Sequence, residues 1–192
     1  MKEKILWSLS GKLLYSFSQW LLIFVILRLG DATMLGEFAL AMAIVTPIFM
    51  FSSLQLPLLN ATDSKGDFSQ DTYLHLTIIM CIFAIAACLF FNLFTKNDIH
   101  FFYLISLLSI MKSIEMLSEF SFSVLQKNGN IKKIAQSLIL RSILSIIFFM
   151  LVLYLTNQLT YSVLVLIFIR LGILLFFDLE KITDLPSRAP NS

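Results

Sequence analysis

The stretch ISLLSIMKSIEMLSEFSFSVLQ, residues 105–126, sets Lys112, Glu115 and Glu119 into a run otherwise made of aliphatic, aromatic, methionine and serine residues. It is too long, and too little alternating, for a β-strand. As a helix, it places Ser109, Lys112, Glu115, Glu119, Ser123 and Gln126 on one stripe, because side chains three and four apart share a face. A polar stripe on an apolar helix turns toward protein or water when the surrounding solvent is hydrocarbon, since lipid offers no hydrogen-bond partner.

The rest of the chain fixes that solvent. With 58% hydrophobic and 14% charged residues and a mean hydropathy of +0.89, the composition lies far from that of soluble domains, about a quarter of whose residues are charged. Six apolar runs each approach or exceed the ~20 residues a membrane-spanning helix needs. They cover Leu13 to Leu29, Phe38 to Leu59, Tyr73 to Phe94, Ile99 to Val124, Ile134 to Leu155 and Tyr161 to Phe177. The expected fold is all-α: a polytopic bundle of six transmembrane helices over residues 1–180, followed by a polar, disordered cytoplasmic tail over 181–192. The connections carry cap and turn chemistry. Asp31, Asp71 and Asp98 stand before helical runs, Lys127-Asn128-Gly129-Asn130 reads as a turn, and Thr156-Asn157-Gln158 separates the fifth run from the sixth.

Basic residues set the orientation. With the N-terminus in the cytoplasm, Lys2, Lys4, Lys12, Lys65, Lys127, Lys132, Lys133, Lys181 and Arg188 lie inside and only Arg28 and Lys96 outside. The first run is long and lacks a small-residue cleavage site, so it reads as a retained helix and not a signal peptide. A net charge of +2 gives no reason to invoke nucleic acid.

Other chemistry is thin. Cys81 and Cys88 are seven residues apart on one helix, a separation of ~10 Å that no disulfide bridges, and they read as apolar filler. His75 and His100 sit near helix ends with no metal-ligand spacing. The sequence contains no phosphate-loop, H-E-x-x-H or G-x-S-x-G motif, and it calls for neither a cofactor nor an enzymatic activity. Asp63, Asp67 and Asp71 are spaced four and four, which does not fit a calcium loop. The formal glycosylation acceptor Asn60-Ala61-Thr62 falls on the cytoplasmic side.

Function is placed in the intramembrane charges, which are expensive in hydrocarbon and usually face a cavity or a partner. On the first run, Ser8, Lys12, Tyr15 and Gln19 form a second polar stripe. Arg141 lies eight residues beyond Lys133, Arg170 eight before Asp178, and Glu119 eight before Lys127. Each is therefore roughly 12 Å from the cytoplasmic end of its helix. Glu115, Glu119, Arg141 and Arg170 are expected in one layer, with Lys112 about 10 Å nearer the membrane centre. Two uses compete. The cations can snorkel toward headgroups, with Lys112 and Glu115 a mere i, i+3 pair. Alternatively they line an aqueous vestibule for an anion, for which the planar arginine fork suits phosphate.

The succession Gly11 through Trp20, Arg28-Leu29-Gly30-Asp31, Gly36 through Pro47, and Phe51-Ser52-Ser53-Leu54-Gln55-Leu56 resembles the first two helices of bacterial polysaccharide flippases. These are the Wzx-type O-antigen transporters of the multidrug, oligosaccharidyl-lipid and polysaccharide exporter superfamily. Ile134 through Ser142 and Phe177-Asp178-Leu179 are also similar to that family. The resemblance implies translocation of undecaprenyl-pyrophosphate-linked oligosaccharide, an O-antigen or capsule repeat unit, from the cytoplasmic to the periplasmic leaflet of the inner membrane. It implies a cationic cavity lined by Lys112, Arg141 and Arg170 and faced by Gln19. It assigns no coupling site, but Glu115 and Glu119 are candidates for proton or ion coupling, because an intramembrane carboxylate can exchange protons. Members have about twelve or more helices. The chain therefore looks like one lobe, a truncated or half-size member that would pair with itself or with a second six-helix lobe, with lipid-linked oligosaccharide and membrane lipids as its other partners. A drug or amphiphile exporter on the same scaffold would be expected to favour acids, and three cations against two acids tilts away from it. A non-transporting assembly partner in glycan synthesis would pair its charges completely and leave no wet cavity.

Overall fold

The computed structural model of the protein describes residues 2–63, 68–94 and 99–179. The expected cap Asp98, the loop residues Lys65 and Asp67, and the tail at 181–192 lie outside the described residues. Within them the chain is helical throughout, with no strand. Seven α-helices follow one another: α1 Lys2–Leu29, α2 Ala32–Ser52, α3 Leu56–Thr62, α4 Gln70–Phe94, α5 Ile99–Lys127, α6 Ile131–Thr156 and α7 Leu159–Ile173, with a π-helical turn, Leu174–Leu179, continuing α7. Together they make six segments long and apolar enough to cross a membrane.

The second segment departs from the expected unbroken helix. The run ends as α2 at Ser52, passes through Leu54 and Gln55 in the left-handed region (φ 46° and 56°), and restarts as α3. The cause is Pro57, the second residue of α3. It has no N–H for the carbonyl four residues back, Ser53, and its ring crowds that carbonyl, so an unbroken helix through this point is disfavoured. The apolar content of the segment hides the break because hydropathy does not sense a missing donor.

The other boundaries follow local chemistry. Asp31 caps α2, its Oδ1 accepting from the Met34 N–H at 2.7 Å. Gly129 takes φ 73° in the turn after α5, and Asn157 takes φ 51° between α6 and α7. The cap of α4 is not Asp71 but Ser69, whose hydroxyl accepts from the Thr72 N–H at 3.2 Å. Asp71 falls instead in the first turn, where a carboxylate still favours the helix dipole.

Helix α5 is the axis of the bundle. It packs against α2, α3, α4, α6 and α7, while α1 leans chiefly on α6. Leu104, Ile105, Leu108 and Met111 of α5 meet Val45, Phe49, Phe149 and Leu166 in a continuous apolar core. Buried serines of α5 and α6 such as Ser109 and Ser142 donate within their own helices, to the Ile105 carbonyl at 2.8 Å and to that of Leu138 at 2.7 Å. Large apolar side chains such as Phe51, Phe83, Phe168 and Phe176 cover the outside, as expected of a surface solvated by lipid.

The contact of α1 with α6 depends on Gly11. A Cβ there would stand 2.9 Å from the Cα and 3.0 Å from the Cβ of Ala135. The obstacle is partly backbone, so the helices themselves must separate, which is the reason small residues mark close helix crossings in membranes. Gly11→Val is expected to destabilise the fold by about 1–3 kcal/mol, the usual cost of overpacking. Gly36→Val, at a position with nothing within 4 Å of the added Cβ, should cost much less. Thermal unfolding of both variants in nanodiscs checks the contrast; equal losses would contradict the close crossing.

Candidate functional site

Between the two polar stripes lies a cavity of about 430 Å³. Helix α1 supplies Lys12, Tyr15 and Ser16, and α3 supplies Pro57, Leu58 and Ala61. The opposite wall is α5, with Glu115, Glu119, Phe122, Ser123 and Gln126, and α6 closes it with Ile134, Leu138 and Arg141. The cavity exists because α1 is held away from α5 by its packing on α6. It sits toward the end of the bundle that carries the start of α1, the end of α5 and the start of α6. The break before α3 matters here too, since it brings the short α3 helix against α5 as a side wall.

Behind the wall is a network of ionic contacts. Glu115 is its hub: its Oε2 receives Lys112 Nζ at 2.9 Å and Arg170 Nη1 at 3.1 Å, while the Tyr15 hydroxyl donates to its Oε1. Arg170 comes from α7 and is 1% exposed. A second pair lies beside it. Arg141 Nη2 meets Asp178 Oδ2 at 3.0 Å and donates to Ser118 Oγ at 2.8 Å, and Ser137 donates to Asp178 Oδ1 at 2.5 Å. The Arg141 guanidinium also lies over the Phe122 ring, 5.6 Å from its centroid. Asp178 is fully buried, and the π-helical turn after α7 places it there.

This geometry bears on both competing uses of the cations. The guanidinium groups of Arg141 and Arg170 do not snorkel to headgroups; both are buried and ion-paired inside the bundle. Lys112 and Glu115 form the i, i+3 pair that the snorkelling alternative included. The flexible stem of Lys112 returns the ammonium one turn along α5 to share a carboxylate oxygen with Arg170. Of the six candidate site residues, Glu115, Glu119 and Arg141 line the cavity, Lys112 and Arg170 stand behind Glu115, and Gln19 is half-buried on α1 outside the lining. Glu119 is exposed and forms no ion pair among the described residues.

Two functional side chains escaped the reading of the sequence. Asp178 serves there only as the marker of a helix end, yet it is the counter-ion of Arg141. Counting along the helix hid this role, because eight residues place Asp178 about 12 Å beyond Arg170, at the helix end. Asn60 is the other. It is fully buried and donates to Ser123 Oγ at 2.7 Å, which joins α3 to α5 beside the cavity and removes the residue from any solvent-facing role as a glycan acceptor. Among the described residues no group of three or more His, Cys, Asp or Glu side chains is arranged to hold a metal.

The chain is similar to the capsular polysaccharide biosynthesis protein CapF of Staphylococcus aureus, with 29% identity over 161 residues, covering 82% of this chain and 39% of that protein. It thus spans about two fifths of the length of the curated relative it matches. No family model matches the chain, and no solved structure matches it.

Proposed function

We propose that the chain is a transport lobe that takes part in moving an undecaprenyl-pyrophosphate-linked oligosaccharide, a capsule or O-antigen repeat unit, from the cytoplasmic to the periplasmic leaflet of the bacterial inner membrane. The observation that carries this reading is the cavity, formed where two polar stripes face each other within membrane-spanning helices. Such a cavity lets a polar group cross without meeting hydrocarbon while its lipid tail stays in the bilayer. The likeness to a capsular polysaccharide biosynthesis protein supports a place in glycan synthesis. The positive-inside bias puts the N-terminus, and with it the cavity mouth, in the cytoplasm. Alternating access needs two units moving against each other, so the lobe works against a second six-helix unit or a second copy of itself.

A drug or amphiphile exporter is the second reading, and one observation favours it more than the sequence does. With Asp178 included, the buried and cavity-lining charges of α5, α6, α7 and the π turn number three cations, Lys112, Arg141 and Arg170, and three acids, Glu115, Glu119 and Asp178. Charge sign therefore no longer separates the two substrates. Deletion of the gene does. It is expected to remove surface polysaccharide without altering resistance to cationic dyes; normal polysaccharide with heightened dye sensitivity selects the exporter.

Accessibility tests the cavity itself. In a Cys81→Ala, Cys88→Ala background, Ser16→Cys and Glu119→Cys are expected to react with a membrane-impermeant thiol reagent in inside-out vesicles, whereas Phe168→Cys on the lipid face stays unlabelled. Silence at both cavity positions would favour a non-transporting membrane partner.

A further inference from the structure

Resting on the transport reading, we infer that the cavity grips the uncharged sugar portion of its ligand through Glu119, Gln126 and Lys12, and that Arg141 and Arg170 serve as internal counter-ions and not as a phosphate clamp. A basic cavity suggests pyrophosphate only while its cations are free. Each arginine already holds a carboxylate: Arg141 meets Asp178 at 3.0 Å and Arg170 meets Glu115 at 3.1 Å. A phosphate taking the paired edge of either guanidinium would displace a buried carboxylate, leaving it unpaired in a medium where unpaired charge is costly.

The charged residues of the wall itself cancel. Lys12 and Arg141 stand against Glu115 and Glu119, and an entering anion meets the exposed carboxylate of Glu119 directly. A neutral polyhydroxylated ligand faces no such penalty. Glu119 offers only acceptors and Lys12 only donors, while the Gln126 amide and the Ser16 hydroxyl offer both. Sugar hydroxyls both donate and accept and can satisfy each of these groups in turn. The apolar part of the wall, including Pro57 and Leu138, suits the C–H faces of a sugar ring. The volume of about 430 Å³ falls within the roughly 300–1,000 Å³ of small-molecule sites.

The experiment uses the full chain in nanodiscs, with Ala61→Cys, a lining position that carries none of the gripping groups, in the Cys81→Ala, Cys88→Ala background, and follows the rate of labelling by a water-soluble thiol reagent. The probes are single repeat units cut from the producing cells' own surface polysaccharide, and inorganic pyrophosphate. Repeat units are expected to slow labelling and pyrophosphate to leave it unchanged. Glu119→Ala should raise the half-protecting concentration of repeat units by about tenfold to a hundredfold, the loss of one charge-assisted hydrogen bond. Glu119→Lys, which leaves the wall net positive, should make pyrophosphate protective. Protection by pyrophosphate in the unaltered wall, or failure of the repeat units to protect, overturns the sugar site and leaves the transport reading standing. An Ala61→Cys thiol that does not react in the absence of any probe overturns both.

Discussion

Asp178→Ala is expected to destabilise the protein by about 3–5 kcal/mol, the cost of leaving one member of a buried ion pair without its partner. Arg141 is 1% exposed and Asp178 is fully buried, so little solvent stands ready to replace the carboxylate at the guanidinium. The remaining donor contact, from Arg141 Nη2 to Ser118 Oγ at 2.8 Å, supplies a dipole but no charge. Ser137 loses its acceptor in the same substitution. The π-helical turn should also loosen, because Asp178 is the polar residue that ties it to α6. Unfolding measured by steric trapping in bicelles reads the loss directly. Removing both charges, as Arg141→Met with Asp178→Leu, should recover most of it, since an apolar replacement of matching volume for a buried pair is often neutral or better. A single variant no worse than Phe176→Ala, which truncates a side chain 79% exposed on the outside, would show that the pair does not hold the bundle.

The depth argument placed Arg141, Arg170 and the α5 carboxylates in one layer without reference to coordinates, and the ion pairs show why it works. A helix rises by a fixed amount per residue, and membrane helices begin and end at nearly the same two planes, so counting from a helix end measures height. The polar stripes were legible for a related reason: spacings of three and four on Lys12 and Tyr15, and on Glu115, Glu119, Ser123 and Gln126, fix a face whatever the neighbours are. What counting cannot supply is azimuth and pairing. It gives no sign that Arg170 reaches α5 from behind while Arg141 reaches the cavity wall, because that depends on how α7 and α6 are rotated about α5. The neutralisation of Arg141 was hidden too, since Asp178 lies at the end of an apolar run and looks like the first residue outside the membrane. The break before α3 was legible in principle from Pro57 and was masked by the hydropathy around it.

These two buried pairs, and the free carboxylate between them, change what the cavity can be asked to do. Because Arg141 and Arg170 each hold a carboxylate, they order α5, α6 and α7 around the site, and hydrogen bonds to the lining residues are the contacts offered to a ligand. Of the three acids at the site, Glu119 is the one that forms no ion pair among the described residues, and it is the exposed one.

The hub of the first network yields the second large effect. Glu115→Ala is expected to cost about 3–5 kcal/mol, because it strands Arg170, which is 1% exposed, and takes the acceptor from the Tyr15 hydroxyl that bridges α1 to α5. Lys112→Ala, which removes another partner of the same carboxylate, should cost no more than about 1 kcal/mol. The difference lies in burial and reach. The Lys112 side chain is 20% exposed and pairs along its own helix, so losing it leaves Glu115 with Arg170 and Tyr15. Glu115→Gln keeps the shape and part of the hydrogen bonding and should fall between the two. Glu115→Ala with Arg170→Leu should regain much of the loss, as the second substitution removes the stranded charge. The same unfolding measurement orders the series. If Lys112→Ala proves as damaging as Glu115→Ala, the i, i+3 contact carries the network and the crossing from α7 to α5 does not.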